Sequence, residues 1–286
     1  MKKSIFIWAA ILMGFSACNQ KQEKMLQYPV TQKVDTVDVY HGVEVADPYR
    51  WLEDDNSDST KAWVVKQNKV TDAYLAEIPF RQKIQDRLTQ IWDYPKFGLP
   101  FKKGDYWYFY KNDGLQQQYV IYQMTSLEDE NPVVFLDPNT FSEDGTVALS
   151  GMSFSKDGKL CAYSISSGGS DWREVFVMDV ESKEKLDDHL KWIKFSGMSW
   201  YKDGFYYSRY DAPADGDELK GVNENNKVYY HKAGTSQEED ELIYQDPEHP
   251  KYGWYMGTTE DEEFLILSGS NPSAKGNALY FKRTSD

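Results

Sequence analysis

Phe101-Lys102-Lys103-Gly104-Asp105-Tyr106-Trp107-Tyr108-Phe109-Tyr110 reads as two short extended segments around a Gly-Asp turn, the second almost wholly aromatic. Aromatic side chains fit a pleated, half-buried surface, so the segment is a strand signal. The same design returns three times: Phe154 to Ser164 turns at Asp157-Gly158, and Trp200 to Ser208 turns at Asp203-Gly204. In Thr258 to Ser268 the last glycine is replaced by Glu262. Asp-Gly supplies the positive backbone angle that a tight hairpin needs. A partner strand is expected after each unit, at Gln118 to Met124, Glu174 to Asp179, Lys227 to His231 and Ala278 to Lys282. A third apolar run follows in three cases, at Val133 to Leu136, His189 to Phe195 and Glu241 to Tyr244. Restarts roughly 50 residues apart match propeller blades of three or four strands. An irregular β-sandwich would not restart one strand-turn-strand unit at this period. The fold expected is mainly β, a partial seven-bladed propeller in which residues 94–286 supply about the first half. A propeller closes on itself, because an open ring leaves sheet edges unpaired.

Ahead of the repeats, residues 28–93 change character. Asp54 to Thr60 is polar and turn-like; from Ser59 apolar residues recur at three and four (Ala62, Trp63, Val65, Val70, Ala73, Tyr74). A second helix is expected from about Ile78 to Trp92, with Ile84, Leu88, Ile91 and Trp92 on one face, stopped by Pro95. Two such helices cannot bury their apolar faces alone.

Residues 1–17 read as a secretory signal: Lys2 and Lys3, then an apolar stretch from Ile5 to Met13 too short to cross a bilayer. Phe15-Ser16-Ala17-Cys18 resembles the lipobox of bacterial lipoproteins, which implies lipid on Cys18, a tether over residues 18–27, and Cys161 left unpaired. The expected location is the bacterial cell envelope, as an exported lipoprotein facing the periplasm or the cell surface. Its contact with membrane would be through the anchor only. The net charge is −14, and no basic cluster interrupts it, so nucleic acid is not an expected partner.

Tyr28-Pro29, Tyr40-His41-Gly42, Asp47-Pro48-Tyr49-Arg50-Trp51-Leu52-Glu53-Asp54 and Gln67-Asn68-Lys69 resemble the opening of the prolyl oligopeptidases. The likeness continues through Asp93-Tyr94-Pro95-Lys96, Phe135-Leu136-Asp137-Pro138-Asn139, Asp144-Gly145-Thr146-Val147-Ala148-Leu149, Gly169-Ser170-Asp171-Trp172, Lys194-Phe195-Ser196 and Lys227-Val228-Tyr229-Tyr230-His231. Many matches in one order are specific where a single motif is not. The resemblance implies an α/β-hydrolase catalytic domain with a propeller inserted in it. Residues 28–93 would then be the helical N-terminal part of the catalytic domain, and residues 94–286 an incomplete propeller. It implies a serine-type endopeptidase, monomeric when intact, that hydrolyses short peptides on the carboxyl side of proline while the propeller gates access. It also implies that Phe195 lines the apolar pocket for the residue two before proline. The pocket's methionine would fall between Gly253 and Met256, and its cysteine at Ser270.

No Gly-x-Ser-x-Gly nucleophile elbow occurs in the sequence, so no catalytic residue is assigned and the chain by itself is expected to be inactive. Gly151-Met152-Ser153-Phe154-Ser155 comes nearest, and reads as the start of a blade strand. His41, His189, His231 and His249 have no catalytic context; His231 reads as a structural or surface residue of a strand. No cofactor and no metal are expected, since no His-Glu-x-x-His, Cys-x-x-Cys or phosphate loop occurs. Two other readings remain open: a lipid-anchored propeller that binds ligands without catalysis, and a related oligopeptidase with basic-residue specificity.

Overall fold

A computed structural model describes residues 26–286, so the signal, most of the tether and Cys18 lie outside the described residues. The chain divides into a unit ending at Gln85 and a unit Asp86–Asp286.

In the first unit, β1 (Val37–Tyr40) and β2 (Val43–Ala46) form an antiparallel hairpin. The Asp47-to-Asp54 motif follows it, and Arg50 explains it: the guanidinium binds Asp47 at 2.7 Å and also Asp38 of the hairpin. Trp51 donates its indole N–H to the Gln32 carbonyl at 2.9 Å. Helix α1 (Asp58–Ala76) opens where the Ser57 side chain accepts from the Thr60 N–H, satisfying one of the first turn's unpaired donors. Helix α2 (Arg81–Trp92), within which the division between the two units falls, begins three residues later than expected. Pro79 keeps Ile78 out of helical backbone. The apolar stripe Ile84, Leu88, Ile91 and Trp92 is exposed.

The second unit contains four antiparallel sheets among the described residues. The first holds β3 (Lys96–Phe97), β4 (Phe101–Lys103), β5 (Tyr106–Asn112), β6 (Val120–Met124) and β7 (Val133–Leu136). The second runs in chain order through β8 (Val147–Phe154), β9 (Leu160–Ser167), β10 (Arg173–Asp179) and β11 (Lys185–Ile193). The third holds β12 (Ser199–Tyr201), β13 (Gly204–Arg209), β14 (Lys227–Lys232) and β15 (Glu241–Tyr244), and the fourth β16 (Gly253–Thr258), β17 (Phe264–Ser270) and β18 (Ala278–Arg283).

What makes these sheets blades is where their side chains go. Alternate residues of β10 enter different cores: Phe176 and Met178 pack with Tyr108, Ile121 and Phe154, while Val175 and Val177 pack with Leu190, Trp200 and Phe205. Period-two alternation thus faces two neighbours at once. A third core joins the third and fourth sheets through Val228, Trp254 and Leu267. The first strands of successive blades lie together, with the Trp200 indole N–H donating to the Ser153 carbonyl at 3.0 Å. The mainly β fold of consecutive propeller blades therefore stands.

The turns need two corrections. At Asp203-Gly204 it is Lys202 that takes the left-handed backbone, at φ 51°, and Gly204 already belongs to β13. Glycine is needed there because a Cβ would overlap the His231 carbonyl oxygen of the paired strand. The second blade's first strand begins at Val147, so Gly151 to Ser155 lies at that strand's end rather than at its start. The positive backbone angle expected at Asp157-Gly158 is present, with Gly158 at φ 72°; Gly104 is also positive, at φ 56°, and the two glycine backbones approach each other closely.

Candidate functional site

Strand β11 ends at Ile193, and Phe195 therefore stands outside it, two residues beyond the strand. Its backbone is left-handed, at φ 53°, and its ring is 56% exposed. An aromatic residue in this region of backbone space is strained, and such strain persists only where its surroundings hold it. Here Ile193 is buried on one side, and on the other Ser196 is buried and its hydroxyl accepts from the Ser208 N–H at 2.8 Å. Phe195 rims a cleft of about 530 Å³ between the second and third blades, with Met152, Ser164, Arg173 and Met198 on its walls. Ser196, Gly197 and Met198 also wall a second cavity of about 490 Å³, which reaches Tyr255 and Met256 of the fourth blade.

The other expected pocket positions separate. Gly253 and Ser270 are cross-strand partners in β16 and β17. Met256 lies three residues further along and packs against the third core. Since Phe195 precedes β12 and Gly253 opens β16, these two occupy the same end of adjacent blades.

Beside Phe195 is a cluster that sequence reasoning left without chemistry. The Trp172 ring meets Trp192 edge-on at 5.6 Å and Tyr210 at 6.2 Å. The Lys194 ammonium lies 4.0 Å from the Trp172 ring centroid, a cation–π contact. Burial pulls the Lys194 pKa below its usual value, against the opposing attraction of Asp171. Trp192, like Phe195, is left-handed, at φ 63°.

The histidines are not gathered into a reactive site. His189 pairs with Glu174, His249 with Asp246, and His231 is wholly buried, so it is interior rather than on the surface. His231 Nε2 is 2.8 Å from Asp188 Oδ1 of the preceding blade, and Nδ1 is 2.6 Å from Asp240 Oδ1. A neutral imidazole has one N–H, so two carboxylate partners require the protonated ring. Burial alone would lower its pKa, but the two hydrogen bonds prevail and raise it to about 9. Tyr207 extends the network, donating its hydroxyl to Asp240 Oδ2 at 2.5 Å. Asp188 lies 43 residues from His231 and Asp240 nine, and neither shares a motif with it, which is why the sequence alone does not reveal this group.

With the geometry in place, comparison with known proteins decides the lineage. Residues 28–286 match the family described as "Prolyl oligopeptidase, N-terminal beta-propeller domain". The chain belongs to the prolyl oligopeptidase family. It is 48% identical to a prolyl endopeptidase of Elizabethkingia miricola, over 96% of this chain and 39% of that protein. A prolyl endopeptidase of Elizabethkingia meningoseptica is 47% identical over 99% of this chain and 40% of its own length. The chain thus spans about two fifths of the length of these curated relatives. Among solved structures, prolyl oligopeptidase B from Galerina marginata, bound to a 35mer hydrolysis and macrocyclization substrate, superposes with a TM-score of 0.75 at 34% identity. That match covers 91% of this chain and 39% of the other.

Proposed function

We propose that this chain is the propeller-bearing part of a serine-type prolyl oligopeptidase that hydrolyses short peptides on the carboxyl side of proline. The observation that carries the reading is the 48% identity to a prolyl endopeptidase, which runs through the helical block as well as the blades. A free-standing binding propeller has no use for that block. Residues 28–93 are then part of an α/β-hydrolase catalytic domain, and residues 94–286 an incomplete propeller. The Ser-Asp-His triad is contributed by polypeptide outside this sequence, which has no nucleophile elbow. The enzyme is monomeric, exported, and anchored by lipid on Cys18 in the cell envelope.

Within this reading the blades contribute walls rather than reacting groups. Phe195 presents an exposed ring at the end of the blades where the cleft opens, and so contacts the apolar residue two before proline. A relatively polar pocket is expected, because Ser270 stands where the family places a cysteine. The proline-specific branch is favoured over basic-residue specificity by the identities quoted above.

A fluorogenic peptide with proline before the cleavable bond tests the proposal. The 286-residue chain alone should give no turnover. The polypeptide that carries it together with its catalytic half should give turnover that a serine-directed phosphonate abolishes. Phosphonate-sensitive turnover by the chain alone, or none by the longer polypeptide, refutes it. Replacing Cys18 by Ser should free the longer polypeptide from host membranes, and retention there would refute the anchor.

A further inference from the structure

The Asp171-Trp172 motif has a place in the structure but no assigned role. Trp172 sits between two features of the blade end that carries Phe195. On one side its ring faces Lys194, the residue immediately before Phe195. On the other its indole N–H donates to the Glu218 carbonyl at 2.6 Å. Glu218 belongs to the long connection between β13 and β14, residues 210–226. That connection is closed at its base by Lys227, whose ammonium is 2.7 Å from both Asp211 oxygens. Its far end is held where the Asn225 N–H donates to the Pro250 carbonyl at 2.7 Å. Residues 212–224 otherwise bond only among themselves: Asp217 N–H to Ala214, and Lys220 and Gly221 N–H to Asp217. Among the described residues, the Trp172 indole is the one hydrogen-bond donor that ties the middle of this connection to a blade. The pinned carbonyl is followed by Leu219, and Val222 is close behind; both are exposed apolar side chains.

We infer that Trp172 is a positioning residue for the Phe195 surface: its ring face supports the Lys194–Phe195 step while its N–H pins the 212–224 connection through Glu218. One indole thereby fixes both the strained aromatic and a flanking apolar loop. The inference rests on the reading of Phe195 as a substrate contact. It explains why a tryptophan is used: phenylalanine could stack but has no N–H, and a histidine or tyrosine would not present the same wide face and edge donor together.

Two substitutions separate the two functions. Trp172→Phe removes the N–H and keeps a ring; Trp172→Ala removes both. In the 286-residue chain, hydrogen exchange over residues 212–224 should quicken about fivefold to tenfold in Trp172→Phe, the loss of one hydrogen bond. Exchange over residues 194–198 should change only in Trp172→Ala. Unchanged exchange over 212–224 in Trp172→Phe overturns the pin. In the longer polypeptide, peptides with Phe or Ala two residues before proline supply a second readout. Trp172→Phe should raise KM for the Phe peptide about fivefold with kcat unaltered, and leave the Ala peptide's KM where it was. Equal KM changes for both peptides, or none, reduce Trp172 to a structural residue and overturn the positioning role. No cleavage of either peptide by the parent enzyme refutes the peptidase reading instead, and the exchange result still decides whether the pin exists.

Discussion

Removing the His231 ring should destabilise the blade unit more than almost any other single side-chain truncation. His231 and Asp188 are both 0% exposed and belong to different blades, so their hydrogen bond closes the second blade onto the third. Asp188 Oδ1 also accepts from the Gly234 N–H at 2.7 Å, and Gln237 bonds both the N–H and the carbonyl of Lys191. In His231→Ala two buried carboxyl groups remain with no cation between them. Deleting one partner of a buried pair costs about 3–5 kcal/mol, because the other is left desolvated and unpaired. For a domain of this size that is a fall in Tm on the order of 10 °C.

The pH dependence makes the prediction sharper. The pKa of His231 rises from an ordinary 6.5 to about 9 on folding. A group whose pKa rises on folding contributes its full stability below the unfolded value and loses it as pH climbs through the folded one. A shift from 6.5 to about 9 corresponds to about 3 kcal/mol. Asp188 moves the other way. Burial would raise its pKa, but the bonds from His231 and Gly234 hold it below its ordinary value, so its share is lost as pH falls into the acid range. The two shifts describe one interaction and do not add. Urea titrations of wild type and His231→Ala should differ most between about pH 5 and 6.5, and the gap should narrow by about 3 kcal/mol by pH 10, leaving the pH-independent loss of the ring's packing against Phe205. Coincident transitions at pH 6, or a gap of the same size at pH 6 and pH 10, would refute the argument.

Tyr207→Phe removes the hydroxyl that donates to Asp240 and should cost about 1–3 kcal/mol in the same assay, with no Tm change expected only if the bond is absent. Gly204→Ala should cost at least as much as a typical core substitution, about 2–5 kcal/mol, since its methyl would meet the His231 carbonyl; a neutral result would mean that β13 and β14 are not paired in this register. Cys161 is wholly buried and its thiol pKa is pushed well up by burial, so Ellman's reagent should label it only after denaturation. Rapid labelling of the native chain at pH 8 would place Cys161 outside the first blade–blade core.

Much of the fold was legible because blades are made by local rules. Alternation in Tyr106 to Tyr110 or Val175 to Met178 needs only strand geometry, and turn residues locate the hairpins. The errors lie where a distant backbone decides. Gly204 looked like a turn residue, yet its glycine is demanded by His231 on a strand that pairs with it across a long connection. The strand β8 was partly missed because Val147 to Met152 mixes Ala, Ser and Gly, and Gly151 sits at a register shift opposite Ser164. The His231 network joins residues 188, 207, 231 and 240, which no spacing rule connects. Of the candidate site, Phe195 was reachable only through family likeness. Composition gives no reason to prefer it over the other 13 phenylalanines.

The backbone supplies such a reason. Trp192 and Phe195 are both left-handed, and each such residue costs on the order of 1–2 kcal/mol relative to ordinary backbone. Glycine would remove that cost, and among the described residues with left-handed backbone Trp192 and Phe195 are the two that carry large apolar rings. For Trp192 the use is visible: its ring packs edge-on against Trp172, and its carbonyl accepts from the Tyr210 N–H at 3.0 Å. Phe195 has no aromatic partner among the described residues, and its ring is mostly in solvent. Burial therefore returns little for the strain at Phe195, whereas Ile193 and Ser196 on either side are buried and fix the chain's path. The two anchors force the intervening residues outward, and the left-handed turn aims an apolar ring at the cleft rather than into a core. An exposed ring held in place at the expense of backbone strain is the feature that the proposed contact with an incoming apolar side chain would use.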